Sequence, residues 1–199
     1  MQIILMVDAT RKIIDFLLEI EKLKAVKRSV YTSDGRRETT PEHVWHMCMY
    51  AMLLPEKNIG MLRLLKLILI HDLVEVYAGD ASVWNEKARE KKKEREQEAA
   101  ERLFSMLPPP HSKEFMLLWM EFEDGKTSEA KTAKTIDGLQ ATGQQTISGG
   151  RAWKKEGVTH EMHQEKSKLY RKDASLEGVW EEFYRRAIKD GMFADDNGG

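Results

Sequence analysis

The chain has 199 residues, a length that supports one domain with a substantial core. Its 33% charged and 41% hydrophobic residues are typical of a folded globular protein, not of a disordered one. A net charge of −1 argues against a surface that binds polymeric nucleic acid. Cys48 is the single cysteine, which excludes an internal disulfide or a cysteine-rich zinc site and favours a cytoplasmic location.

Apolar residues recur along most of the chain with the spacing of α-helices. Thr40 and Pro41 are expected to open one of these helices, as its N-cap and first-turn proline. Residues 29–40 are expected to form a polar loop, and the chain after a second loop at Gly149 and Gly150 one or two helices up to Met192, with residues 159–192 packing on the core. The helices predicted before residue 159 are 8–27, 40–54, 61–77, 86–106, 111–124 and 128–145.

No uninterrupted apolar run approaches the ~20 residues of a membrane-spanning helix, so no membrane partner is expected. The helix 86–106 is strongly charged, and we interpret it as a solvated face with ion pairs along the helix, with an interaction surface as the alternative. The histidines at 111, 160 and 163 are interpreted as surface residues. The five tryptophans are interpreted as core or dimer contacts, with Trp84 near enough to Asp80 to contact a substrate.

His71 and Asp72 stand side by side near the end of the most apolar predicted helix. Burying a carboxylate costs several kcal/mol unless a charged partner or a metal offsets the loss of water. A divalent cation is the most economical explanation, because imidazole and carboxylate are both metal ligands. Other groups of the same chemistry are Glu42, His43, His46, Glu75, Asp80 and Asp137.

The order of these residues resembles the H…HD…D signature of the HD-domain phosphohydrolases, and in particular the branch of the bacterial 5'-deoxynucleotidases. The matching segments are PEHVWH (41–46), LILIHDLVEVYAGD (67–80), LWMEFEDGKTSEAKTAKTIDGLQ (118–140) and, more weakly, LKAVKR (23–28). The resemblance implies an all-α bundle with a metal site at its centre. The whole chain, 1–199, is then expected to be a single HD domain with its motif-bearing core at about 23–145.

The resemblance also implies roles for individual residues. One divalent ion (Mn, Co, Fe, Zn or Mg) is expected to bind to His43, His71, Asp72 and Asp137. Glu75 is expected to act on the attacking water, and Asp80 to be an acid–base group opposite the phosphate. Arg28 is expected to bind the phosphate, a task that suits a guanidinium group. Some deoxynucleotidases carry a tryptophan after this arginine, where this chain has Ser29.

The implied activity is metal-dependent hydrolysis of nucleoside 5'-monophosphates, with 2'-deoxynucleotides favoured, to a nucleoside and phosphate. The expected partners are a small-molecule nucleotide and a second copy of the chain, because members of this branch are commonly homodimers. One alternative is a phosphodiesterase that acts on a cyclic or signalling nucleotide, whose second metal would need Glu42, His46 or Glu75 as further ligands. Another alternative is a non-catalytic nucleotide-binding module with a vestigial site.

Overall fold

A computed structural model describes residues 2–55, 58–85, 87 and 90–195. Two short strands, β1 (Lys27–Tyr31) and β2 (Arg37–Thr39), form an antiparallel hairpin. The rest of the regular structure is helical, which confirms the predicted all-α class. The helices are α1 (Gln2–Ile20), α2 (Thr40–Leu53), α3 (Met61–His71), α4 (Glu75–Ala78), α5 (Lys92–Phe104), α6 (Pro109–Asp124), α7 (Ser128–Ile147), α8 (Arg151–Glu156), α9 (His160–Ser167) and α10 (Glu177–Lys189).

The hairpin corrects two of the sequence predictions. The first helix ends at Ile20 and continues only as a 3-10 turn to Ala25, and the segment predicted as a polar loop contains both strands. Gly35 has a φ of +83° in the tight turn between the strands, a conformation that favours glycine. Strands of three to five residues are too short for alternation to be recognised in a sequence, so the pattern missed them.

The predicted continuous helix 61–77 is also wrong, because α3 ends at His71. Asp72 has left the helical conformation, with φ −95° and ψ 3°, and the chain makes a tight turn before α4. Backbone bonds to the third preceding residue hold this turn, including Glu75 N–H to the Asp72 carbonyl at 3.0 Å. The apolar pattern does not change across the turn, so it gave no signal of the break.

The main hydrophobic core lies where α3 packs against α2, α6 and α7. Its apolar side chains are withdrawn from water, which is the dominant stabilising contribution in a domain of this size. The core members with no exposed surface include Met47, Leu64, Leu67, Ile68, Leu103, Phe104, Ile136 and Leu139. Among the described helices, none is both long and apolar enough to cross a membrane.

The C-terminal part of the chain forms three α-helices, α8 to α10, where one or two were predicted. A second, smaller hydrophobic cluster holds them together, and it contains Trp153, Val158, Ala187, Met192 and Phe193. Helix α10 packs directly on α7, and α8 packs beside β1. The C-terminal helices therefore lie against the elements that carry the candidate site.

Gly138 of α7 is the point of close approach to this C-terminal layer. A Cβ atom at this position would lie 2.5 Å from the Cβ of Tyr170 and 3.0 Å from Cζ2 of Trp180. We expect Gly138→Ala to lower the free energy of unfolding by about 1–3 kcal/mol, because a well-packed region must shift to admit the methyl group. Urea unfolding measures this change.

The matched control is Gly178→Ala in α10, where a Cβ atom would meet no other atom within 4 Å. Removing a helical glycine without a clash is expected to leave stability unchanged or to raise it by up to about 1 kcal/mol. Equal stabilities for the Gly138 and Gly178 variants would contradict the close approach.

Candidate functional site

Three helices bring two buried imidazoles and two partly buried carboxylates together. His43 lies in the first turn of α2, His71 and Asp72 end α3, and Asp137 lies in the middle of α7. Asp137 Oδ1 is 3.1 Å from His43 Nε2, and Asp72 Oδ2 is 3.2 Å from His71 Nε2 and 3.7 Å from His43 Nε2. His43, His71 and Asp137 each offer one ligand atom within 4.8 Å of the other two.

The break at the end of α3 allows this arrangement. Consecutive residues of a continuous helix point about 100° apart, so His71 and Asp72 would diverge if the helix ran on. Because Asp72 is the C-cap residue, its carboxylate turns back towards the His71 ring. The chain turn that the sequence did not reveal therefore brings the two side chains of the doublet to one point.

The polar atoms at the centre of this cluster lack hydrogen bonds. His43 Nε2, His71 Nε2 and Asp72 Oδ2 are buried, and none has a hydrogen-bond partner within the described residues. Buried polar atoms are nearly always paired, so three unpaired atoms that face one another require an explanation. A divalent cation would satisfy all three, and this set of nitrogen and oxygen donors suits one.

The far side of each imidazole is hydrogen-bonded, which sets the direction of Nε2. Nδ1 of His71 lies 2.7 Å from the Ile68 carbonyl, which can only accept, so Nδ1 carries the proton. Nδ1 of His43 lies 2.5 Å from Oε1 of Gln140, and Nε2 of Gln140 donates to Glu38 at 2.8 Å. Both rings thus present an unprotonated Nε2 to the centre when neutral, which is the form that binds a metal.

Two of these supporting residues were missed by the sequence analysis. Gln140 has no exposed surface and Glu38 only 2%. Gln140 lies three residues after Asp137 in α7, hence on nearly the same helix face, and that spacing could have identified it. Glu38 offered no such signal, because its pairing with Gln140 spans 102 positions of the chain.

A capping box fixes the start of α2, and with it His43. Thr39 is the N-cap, one residue before the predicted Thr40, and its backbone N–H donates to Glu42 at 2.8 Å. Thr40 instead donates its hydroxyl proton to Glu75 at 2.7 Å. His46 lies one turn beyond His43, outside the central cluster, where its Nδ1 is 3.3 Å from Gln140 Nε2.

Negative charge exceeds positive charge around the cluster. In the described part of the chain, the guanidinium group of Arg28 lies within 4 Å of three carboxylates around the cluster. They belong to Glu38, Asp72 and Asp80. Burial alone would lower the pKa of His71, but Asp72 outweighs it and raises that pKa to about 9. The site therefore favours an additional positive charge, whether a proton or a metal cation.

Glu75 and Asp80 border the cluster, where the family resemblance had led us to expect them. Glu75 is 3% exposed, and burial together with the Asp72 carboxylate raises its pKa to about 8. Gly79 has a φ of +69°, and this turn ends α4. Asp80 follows, with Oδ1 3.9 Å from Nη1 of Arg28.

Arg28 reaches the cluster from β1. Its Nη1 lies 3.6 Å from Asp72 Oδ2, and its Nε lies 3.2 Å from Glu38 Oε2 without hydrogen-bond geometry. Burial lowers the pKa of Arg28, but Asp80, Asp72 and the other carboxylates outweigh it and raise that pKa above its usual range. The guanidinium group is thus a permanent positive charge beside the candidate metal site.

Arg28, Asp72, Glu75, Asp80 and Asp137 line a single cleft. The other wall of the cleft comes from the C-terminal part of the chain, and it includes His163, Trp153 and Trp180. The structure therefore brings together, in one cleft or directly behind it, all seven residues that the sequence analysis selected.

His163 was predicted to be on the surface, and this is wrong. The side chain is 4% exposed, and its ring centroid lies 4.6 Å from that of Trp153 and 5.4 Å from that of Phe193. The polar sequence around it, HEMHQEKS, gave no sign of this burial, because the partners are aromatic residues elsewhere in the C-terminal part.

A family model described as HD domain matches residues 20–180. The chain belongs to the HD domain family. It is 33% identical over 129 residues to the human 5'-deoxynucleotidase HDDC2, a match that covers 64% of this chain and 63% of that protein. The matched region thus spans less than two thirds of the length of that relative.

Two solved structures are similar over more of the chain. The crystal structure of a predicted metal-dependent phosphohydrolase from Magnetospirillum magnetotacticum MS-1 has a TM-score of 0.85 and 32% identity, and the match covers 94% of this chain and 96% of that one. A conserved hypothetical protein from Pyrococcus furiosus, at 21% identity and a TM-score of 0.61, shares the fold. Family membership and the His/Asp cluster together indicate a divalent metal site.

Buried His163 predicts a pH dependence of stability. Burial, with a smaller contribution from the charge of Arg171, lowers its pKa from 6.5 to about 4. Between these values the unfolded chain binds a proton that the folded chain does not, so the free energy of unfolding falls as the pH falls. Between pH 7 and pH 4, we expect the free energy of unfolding of His163→Phe to fall by about 2–3 kcal/mol less than that of the wild type.

Thermal or urea unfolding across this pH range measures the difference. His111→Phe, at an exposed histidine, is the control and should follow the wild-type curve. Parallel curves for the wild type and His163→Phe would contradict the depressed pKa.

Proposed function

We propose that this HD domain protein is a metal-dependent phosphomonoesterase that hydrolyses nucleoside 5'-monophosphates, with 2'-deoxynucleotides favoured, to a nucleoside and phosphate. The observation that carries the proposal is the set of three buried, unpaired polar atoms at the floor of the cleft that Arg28 lines, or directly behind it. Similarity to proteins named 5'-deoxynucleotidase supports the substrate class.

The proposed ligands of one divalent ion are His43, His71, Asp72 and Asp137. Two imidazoles and two carboxylates suit Mn, Co, Fe or Zn, and suit Mg less, because Mg prefers oxygen ligands in an octahedral arrangement. When bound, such an ion supplies Lewis acidity, which activates water and offsets the charge that develops on the phosphoryl group. The surplus of carboxylates around the cluster supports cation binding.

The proposed roles of the remaining groups follow from their positions. Arg28 would hold the phosphate, because its guanidinium group lies 3.6 Å from Asp72 and opens into the same cleft. Glu75, held by the Thr40 hydroxyl and lining the same cleft as Asp72, would orient the attacking water and take its proton. Asp80 would deliver a proton to the departing 5' oxygen of the nucleoside.

The alternatives from the sequence have less support. A phosphodiesterase with a second metal would need further ligands at the cluster, and His46 instead lies beside Gln140, between Trp45 and Tyr50. A vestigial binding module would not require four intact ligand candidates with correctly directed imidazole nitrogens. Neither alternative explains the unpaired atoms as well as a single metal-dependent hydrolytic site.

The proposal extends to assembly and location. We propose one HD domain over residues 1–199, acting in the cytoplasm as a homodimer. Support for the dimer comes from α1, whose apolar side chains are left exposed by the described residues of one copy of the chain. These exposed residues are Met6, Val7, Ile14, Leu17 and Leu18.

The first test of the function is phosphate release from 2'-deoxy- and ribonucleoside 5'-monophosphates with Mn, Co, Mg or EDTA. We expect metal-dependent release that falls by at least about 100-fold in Asp72→Asn, because that variant removes one charged ligand. Asp15→Asn, at an exposed position of α1, is the matched control and should retain activity. Bound metal is measured by elemental analysis of the same samples.

Two results would contradict the proposal in different ways. No release from any monophosphate by the metal-loaded wild type would reject the activity. Release that persists in both EDTA and Asp72→Asn would reject the metal site as its source.

The role of Arg28 is tested by Arg28→Lys. Lysine keeps the charge but loses the forked donor geometry, so we expect kcat/KM to fall about 10- to 100-fold while the bound metal stays constant. Arg11→Lys on α1, whose side chain is 71% exposed, is the control. An unchanged KM and kcat in Arg28→Lys would remove Arg28 from the phosphate site.

A further inference from the structure

The cleft continues beyond the metal cluster into a compartment with aromatic walls. We call it the aromatic chamber and define it by Trp84, Trp153, His163 and Trp180, all of which line the cleft. The ring of His163 lies at its middle, with centroids 4.6 Å from Trp153, 6.3 Å from Trp180 and 6.4 Å from Trp84. From the sequence, these tryptophans were interpreted as core or dimer contacts, and Trp84 alone as near enough to Asp80 to contact a substrate.

Three polar atoms of the cleft lining are buried without partners. They are Oε1 of Gln145, Nδ1 of His163 and Nε1 of Trp180, and none is hydrogen-bonded to any described residue. Each of the three residues is less than 5% exposed. Leaving such groups unpaired lowers stability, so their retention in the lining of a cleft points to a ligand that pairs with them.

Helix α7 connects the chamber to the metal cluster. Asp137, Gly138, Ala141 and Gln145 all line the cleft, so one face of the helix runs from one compartment to the other. Gln145 lies eight positions after Asp137, which corresponds to about 12 Å along the helix. The absence of a side chain at Gly138 lets the Trp180 ring approach α7 within this face. A ligand that spans both compartments must therefore be elongated, with an anionic end at the metal cluster.

We propose that the aromatic chamber binds the nucleobase of the substrate, and that Gln145, His163 and Trp180 are its specificity-determining residues. The proposal rests on the phosphomonoesterase function and adds where the base lies. Aromatic side chains stack on bases of any identity. The indole N–H of Trp180 can only donate a hydrogen bond, and the amide oxygen of Gln145 can only accept one. Together they match the edge of a nucleobase that carries both an acceptor and a donor.

The chemistry of His163 agrees with an uncharged ligand. Burial lowers its pKa to about 4, so the ring is neutral at pH 7, with one nitrogen that donates and one that accepts. None of the three proposed contact residues carries a formal positive charge at pH 7 that could pair with an anionic group of the ligand other than its phosphate. The heterocyclic end of a nucleotide fits this compartment, whereas the phosphate fits the compartment beside Arg28.

The test compares two substrates that share the phosphate and the sugar and differ only in the base. We would measure kcat/KM for 2'-deoxynucleoside 5'-monophosphates and for 2-deoxyribose 5-phosphate, and take their ratio. In His163→Phe and in Gln145→Met we expect this ratio to fall about tenfold, the effect of one lost hydrogen bond in the chamber. His111→Phe and Gln164→Met, at exposed positions, are the matched controls.

The ratio does not depend on the fraction of folded protein, because both rates scale with it. A ratio that stays at the wild-type value in both chamber variants would overturn the proposal, even if both rates decline. A wild type that hydrolyses the two compounds equally well would overturn it too.

Failure of the underlying function is a separate outcome. If the metal-loaded wild type releases phosphate from neither compound, the chamber is tested by isothermal titration with free 2'-deoxynucleosides. Binding that weakens about tenfold in His163→Phe would support the chamber without the activity. No nucleoside binding by the wild type would overturn the chamber as well.

Discussion

The rest of this structure depends on one constraint, the burial of ionisable groups at the meeting point of three helices. The four proposed metal ligands belong to α2, α3 and α7, and they are His43, His71, Asp72 and Asp137. Their neighbours are the fully buried side chains of the main core. The side chains of Asp72 and Asp137 are only 16% and 24% exposed, so leaving their charges uncompensated there would lower stability. The surrounding structure therefore has to supply positive charge and directed hydrogen bonds, and a bound cation completes the balance.

A buried polar network supplies the directed hydrogen bonds. Gln140 joins the hairpin to α2 and α7, since it bonds both His43 and Glu38. Glu38 in turn lies beside Arg28 across the hairpin. The position of the Arg28 guanidinium group and the orientation of the His43 imidazole thus depend on the amide of Gln140. A change in the hairpin is therefore expected to alter the geometry of the cluster.

The cleft combines two kinds of wall. The helices of the motif-bearing core carry charged and metal-binding groups, whereas the C-terminal part carries aromatic rings and neutral polar atoms. Gly138 allows the two parts to approach closely, directly after Asp137. The division between reactive groups and recognition groups follows from this packing, because α7 contributes side chains to both.

The sequence by itself determined the fold class and the set of candidate residues. Helical periodicity needs only local spacing, and a charged or ligand-forming residue within an apolar helix stands out in the same pattern. Family resemblance then placed Arg28, Glu75 and Asp80 near that set, and their roles remain predictions to be tested.

Only the tertiary structure decided how these residues meet. The end of α3 at His71, the short hairpin, the Glu38–Gln140 bond and the burial of His163 all depend on contacts between segments far apart in the chain. The local pattern of apolar and polar residues does not indicate such contacts, because the same residues could be solvated in another packing. The aromatic chamber belongs to this second group, and its walls exist only once α8, α9 and α10 have packed beside α7 and the hairpin.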